Sequence, residues 1–112
     1  MIKATSDSWE TLPFPNEHEF MVLDRIFSTA ELIKIEKGFI PSTMEEKWFV
    51  YCENNTIYIH RSWTGYCIYI LDFDDNGKII KARVNRNQEQ YTATDLENDE
   101  ALVLTILDTI LK

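Results

Sequence analysis

Scarcity is the first feature of this chain. Three glycines and three prolines among 112 residues leave no low-complexity or linker segment, which excludes a disordered or collagen-like protein. The two cysteines, Cys52 and Cys67, and the two histidines, His18 and His60, fall at no zinc-ligand spacing, so no metal site is expected and the cysteines read as buried thiols. No stretch approaches the roughly 20 apolar residues that span a bilayer, and the opening Met1 to Asp7 lacks the apolar run of a signal peptide. The expectation is a soluble, cytoplasmic protein with no membrane partner. Positive charge is also short: 11 Lys and Arg stand against 19 Asp and Glu, a formal charge of -8. Such a field repels phosphate backbones and argues against nucleic acid as a partner, while leaving room for a local basic patch that holds a small anion.

What is present suits a packed interior. With 45% hydrophobic and 12% aromatic residues, a chain of this length reads as a single domain, 1–112, that buries about two-thirds of its unfolded surface. Trp9, Leu12 and Phe14 are apolar anchors around Pro13 and Pro15, which keep the early segment extended, and Phe20-Met21-Val22-Leu23 fits a strand as well as a short helix. Ser28-x-x-Glu31 is a capping box, with Phe27 and Leu32 as the hydrophobic staple and Gly38 past the end, so a helix is expected over Thr29 to Lys37. From Lys47 to Arg86 the period becomes two. Trp48 to Glu53, Thr56 to Trp63, Tyr66 to Phe73 and Lys78 to Arg86 read as strands, joined by hairpin turns at Asn54-Asn55, Thr64-Gly65 and Asn76-Gly77. Thr94-x-x-Glu97 then opens an amphipathic helix from Leu96 to Leu111. The expected fold is α+β: a four-stranded antiparallel meander over 47–86, helices packed on one face, an N-terminal segment 1–46 carrying the short helix, and a closing helix over 95–111.

Two-residue turns would fix which side chains share a face. One face then carries Phe49, Tyr51, Tyr58, His60, Cys67, Tyr69, Leu71, Phe73, Ile80, Ala82 and Val84 and is expected to meet the helices. The other carries Trp48, Val50, Ile57, Ile59, Arg61, Ile68, Ile70, Lys81, Arg83 and Asn85. In that register Trp48, Arg61, Ile68 and Asn85 form a row, Arg83 lies in the next, and the Ser62 to Gly65 turn stands just beyond. An indole wall, two guanidinium forks and an amide beside a hydroxyl-bearing turn suit a planar ring carrying phosphate or carboxylate. The candidate ligand-binding residues are therefore Trp48, Arg61, Ser62, Trp63, Thr64, Arg83 and Asn85. The simpler reading is that Arg61 and Arg83 only pair with nearby carboxylates.

No catalytic signature accompanies this surface. Asp72-x-Asp74-x-Asn76-Gly77 copies the first half of a calcium loop, but the twelfth position is Arg83 rather than Glu and strands flank it, so a solvated hairpin turn is the better reading. His60 is expected in the core, hydrogen-bonded to a tyrosine. Ser62, about 7 Å along the strand from it, is no paired nucleophile. Catalytic residues and cofactors are not expected.

The runs Glu46 to Tyr51, His60-Arg61-Ser62-Trp63-Thr64-Gly65, Val84-Asn85-Arg86 and Gln90-Tyr91 together resemble a family of small bacterial domains that occur alone or joined to proteins similar to ADP-ribosylglycohydrolases. The resemblance implies a setting in the metabolism of ADP-ribose and NAD derivatives. It does not imply hydrolysis, because the two aspartate-rich metal motifs of the hydrolase are absent. The leading expectation is a non-catalytic module binding a small anionic nucleotide-like ligand such as an ADP-ribose or NAD derivative. Trp48 or Trp63 would stack on the base, Arg61 and Arg83 would hold phosphates, and Ser62 and Asn85 would orient polar groups. The alternative is an acidic protein-interaction domain, an immunity or regulatory partner, using Asp72 to Asp75 and Asp95 to Glu100. A homodimer through Val50, Ile59 and Ile70 is a further expectation, since that strip would otherwise be an exposed apolar patch.

Overall fold

In the computed structural model, which describes residues 3–112, the chain is an α+β fold with one antiparallel sheet and two helices. The sheet has five strands rather than four. They are β1 (His18–Met21), β2 (Trp48–Glu53), β3 (Thr56–Arg61), β4 (Cys67–Phe73) and β5 (Ile79–Asn85), in the spatial order β1-β5-β4-β3-β2. The added strand comes from the ambiguous N-terminal stretch, which pairs antiparallel with β5, His18 opposite Asn85 and Met21 opposite Ala82. No helix is long and apolar enough to cross a membrane among the described residues.

Both helices form where the sequence places them. The first, α1 (Thr29–Lys37), starts on the Ser28 capping box, Ser28 accepting from the Glu31 amide and Glu31 accepting from the Ser28 amide. The second, α2 (Leu96–Leu111), is capped by Asp95 rather than Thr94: the Asp95 carboxylate accepts from the amides of Glu97 and Asn98. An acidic cap also suits the positive end of the helix dipole.

The hairpins decide what faces what. Asn54 and Asn55, both with positive φ (51° and 61°), make the two-residue β2–β3 turn, and Trp48 lies opposite Arg61 as the turn requires. Between β4 and β5 a bulge at the turn end restores the expected pairing of Ile70 with Arg83. The β3–β4 connection differs. Arg61 donates its amide to the Tyr66 carbonyl and accepts from Gly65, so the loop holds Ser62 to Gly65. With Ile68 as a bulge, Ile59 pairs with Tyr69 instead of Ile70. A slip of one residue moves a strand's side chains to the other face, so half of the expected face assignment inverts.

The helix-covered face therefore combines Val50, Cys52, Ile57 and Ile59 with Tyr69, Leu71, Phe73, Ala82 and Val84, packed with Ile35 of α1 and Val103, Ile106 and Leu107 of α2. The opposite face carries Phe49, Tyr51, Tyr58 and His60 beside Ile70, Asp72, Lys81, Arg83 and Asn85. Val50, Ile59 and Ile70 are buried, so they form no exposed dimer strip. The N-terminal segment crosses this second face: Trp9 stacks on Phe49 at 5.9 Å, and Phe14 lies under the Arg83 guanidinium at 5.7 Å.

A buried polar knot ties α2 to the sheet. Asp99 is 1% exposed and accepts from Tyr69 Oη at 2.9 Å, Tyr91 Oη at 2.6 Å and Arg86 Nη2 at 2.7 Å. Arg86 also donates through Nε to Glu19. Burial and the neighbouring phenol and carboxylate push the Tyr69 hydroxyl well above its ordinary range, so it serves as a donor throughout the physiological range.

Candidate binding surfaces at Trp48 and Trp63

The Ser62 to Gly65 loop is held from several sides. Ser62 donates its amide to Lys47 O and its Oγ to Glu46 O, while Trp9 Nε1 donates to Ser62 O at 2.8 Å. Trp63 Nε1 donates to Met44 O at 2.9 Å, Thr64 Oγ1 accepts from the Tyr66 amide, and Leu12 donates to Gly65 O. Gly65 has φ +77°, and a Cβ there would stand 2.6 Å from Glu10 O; only glycine lets the N-terminal segment approach so closely. The hydroxyls of Ser62 and Thr64 thus build the loop. Its outward feature is the Trp63 indole, 70% exposed. Shallow grooves of about 610 and 500 Å³ flank it, both walled by Trp9, Ser62 and Trp63.

Trp48 and Arg61 meet on the helix-covered side. The Arg61 guanidinium carbon lies 5.6 Å from the Trp48 ring centroid, and Trp48 leans on Tyr69 at 6.1 Å. Trp48 forms one wall of a groove of about 330 Å³ completed by Phe39 and Val50 and by Leu102, Thr105 and Ile106 of α2, with Lys47, Glu45 and Glu46 at its lining. That volume is at the lower end of small-molecule sites, and its largely apolar lining with few polar groups is typical of them. Glu46 carries its charge firmly: hydrogen bonds from the Ser42 side chain and backbone, with Thr43, hold its carboxyl below the usual range.

Arg83 and Asn85 lie on the other face, which corrects the expected row. Arg83 approaches Asp72 at 3.9 Å, and its Nε is buried with no hydrogen-bond partner among the described residues. Asn85 is fully buried and satisfied: Nδ2 donates to Cys67 O and Gln90 Oε1, and Oδ1 accepts from the Asn87 amide. Of the seven candidate residues, Trp48 lines the groove and Arg61 stacks on it without lining the groove itself, Ser62, Trp63 and Thr64 form the adjoining corner, and the second arginine and the amide are separated from both.

His60 is buried as expected, but among rings rather than under the helices. It stacks on Tyr51 at 5.6 Å, its Nδ1 has no hydrogen-bond partner among the described residues, and burial pulls its pKa down to about 4. Cys52 and Cys67 are free and buried on opposite faces. Burial pushes their thiols up to about 11 and about 12, far from a reactive thiolate. Among the described residues no three His, Cys, Asp or Glu side chains stand together as a metal site. The Asp74 carboxylate accepts from the Asn76 and Lys78 amides and closes the hairpin turn.

The α2 wall of the groove is not foreseen in the sequence analysis, although Leu102, Ile106 and Thr109 lie on one stripe of α2. Trp9 is an apolar anchor as expected; its partners, Phe49 and the Ser62 carbonyl, are what the sequence leaves open. No family model, curated protein or solved structure matches this chain.

Proposed function

We propose that the protein is a non-catalytic binding module for a small anionic ligand with a planar, nucleotide-like ring, and that the groove between Trp48 and α2 is its site. The observation that carries this reading is Trp48, which walls an apolar groove and carries the Arg61 guanidinium on its ring at 5.6 Å. The ring inserts between Trp48 and Leu102 and Ile106, and Arg61 and Lys47 meet the anionic group. ADP-ribose and NAD derivatives have this chemistry, and Arg83 and Asn85 have no part in this version of the site. Titration calorimetry and thermal shift with ADP-ribose, NAD and adenosine monophosphate test it. Binding raises the melting temperature by mass action, and Arg61→Ala weakens affinity about tenfold, the size expected for loss of one charged hydrogen bond. No shift with any of the three at millimolar concentration rejects the reading.

The exposed Trp63 indole favours a second reading, a protein-interaction domain, because tryptophan is enriched among the residues that dominate interfaces. The expected acidic contact runs support it less. Asp72 bonds Thr56, Asp74 closes a turn, Asp95 caps α2 and Asp99 is buried. A partner that is lost on Trp63→Ala and unaffected by Arg61→Ala would favour this reading over the first.

A further inference from the structure

The two edges of the sheet are finished differently. At the β2 edge, Phe39 and Val50 exchange both backbone hydrogen bonds, so neighbouring chain covers it at its centre. Among the described residues the β1 edge has no such cover. Arg86 donates its amide to Glu17 O, which sets Glu17, Glu19 and Met21 toward β5 and turns the N–H and C=O of His18, Phe20 and Val22 outward. The side chains beside this free edge are apolar and open: Phe20 is 61% and Val22 84% exposed. Glu19, the charge that would guard the edge, is turned to the helix side and held by Arg86. An uncovered edge with exposed apolar side chains is a template for another strand.

We propose that β1 pairs antiparallel with β1 of a second copy across a twofold axis at Phe20, joining the two sheets into one. The strand's own sequence argues for self-pairing. Centred on Phe20, this register sets Phe20 against Phe20 and His18 against Val22 on one face, and Glu19 against Met21 on the other. Every outward-turned residue from His18 to Val22 gains a partner, and no carboxylate lies opposite a carboxylate. Sliding the centre to Glu19 would put two carboxylates face to face, which is unfavourable. The dimer uses a surface distinct from the Trp48 groove. Because each copy carries a charge of -8, association strengthens as salt screens the repulsion, opposite to the behaviour of a charge-driven complex.

Sedimentation equilibrium at low and high salt tests the pairing. The full chain should pass from 13.2 kDa to twice that mass as concentration rises, with the transition at lower protein concentration in high salt. Phe20→Glu, which places a carboxylate near Lys81 and Arg83 in its own sheet but against its twin across the axis, should leave the melting temperature unchanged and abolish the dimer. Phe20→Cys gives a readout independent of stability. Facing Cα atoms in a hydrogen-bonded pair are about 5.5 Å apart, within disulfide range, so oxidation should yield a covalent dimer. Val22→Cys, about 13 Å from its twin by strand rise, should not cross-link. A chain that stays monomeric at all concentrations, a dimer that Phe20→Glu leaves intact, or equal cross-linking at both positions overturns the proposal.

Discussion

Removing the Asp99 carboxylate is the sharpest perturbation of this fold. It is 1% exposed and receives two phenol hydroxyls and a guanidinium from two separate stretches of chain: Tyr69 on β4, and Arg86 and Tyr91 on the connection into α2. Asp99→Ala leaves Tyr69 and Tyr91 bonded only to each other, at 3.1 Å, and takes from Arg86 its deepest partner. Breaking a buried pair by deleting one member costs about 3–5 kcal/mol, because the remaining charge is left in a poorly solvating place. Arg86 keeps Glu19 and the carbonyls of Asn85 and Ala93, so the expected cost is near the lower end, about 3 kcal/mol. Against a total of about 5–15 kcal/mol the variant still folds. Urea unfolding followed by tryptophan fluorescence reads the loss as a lower midpoint with little change in slope. A double cycle with Arg86→Met should return a coupling of about 1–3 kcal/mol. A cost below about 1 kcal/mol, or additive single effects, would show that the knot is solvated and does not hold α2 on the sheet. Because α2 is one wall of the Trp48 groove, the same variant should also weaken any ligand that binds there.

Other consequences follow from single side chains. His60, with its pKa pulled by burial from 6.5 to about 4, stays neutral in the folded chain while the unfolded chain takes up a proton. Stability is therefore full above pH 6.5 and falls by at most about 3 kcal/mol as pH drops to 4; the urea midpoint of His60→Gln should lack this component, and an identical pH profile refutes it. Gly65→Ala forces a side chain into a positive-φ position against Glu10 O, and should lower stability by about 1–3 kcal/mol in thermal melts. Cys52 and Cys67 should resist alkylation near neutral pH until the chain unfolds; fast labelling of native protein by iodoacetamide would contradict their burial.

How far the sequence could be read comes down to one hairpin. Helix boundaries were legible because caps are local: Ser28 with Glu31 names its own amide partner, and α2 keeps an apolar stripe whether Thr94 or Asp95 begins it. The Asn54-Asn55 turn was legible because two residues that tolerate positive φ leave little choice of loop. Thr64-Gly65 misled because Gly65 is required by the approach of Glu10 from the N-terminal segment, not by a two-residue turn. Gly65 closes onto Arg61, and the Ile68 bulge completes the slip, so Arg61 stays with Trp48 while Arg83 passes to the face with Tyr58 and Phe14. A tight turn would have put both guanidinium groups on one face, with no neighbouring carboxylate except Asp72 to divide the charge. The longer loop separates them, and each takes an aromatic platform: Trp48 for Arg61, Phe14 for Arg83. That division is why the anion site proposed for this fold rests on one arginine stacked on the tryptophan that walls the groove, rather than on a two-arginine cradle.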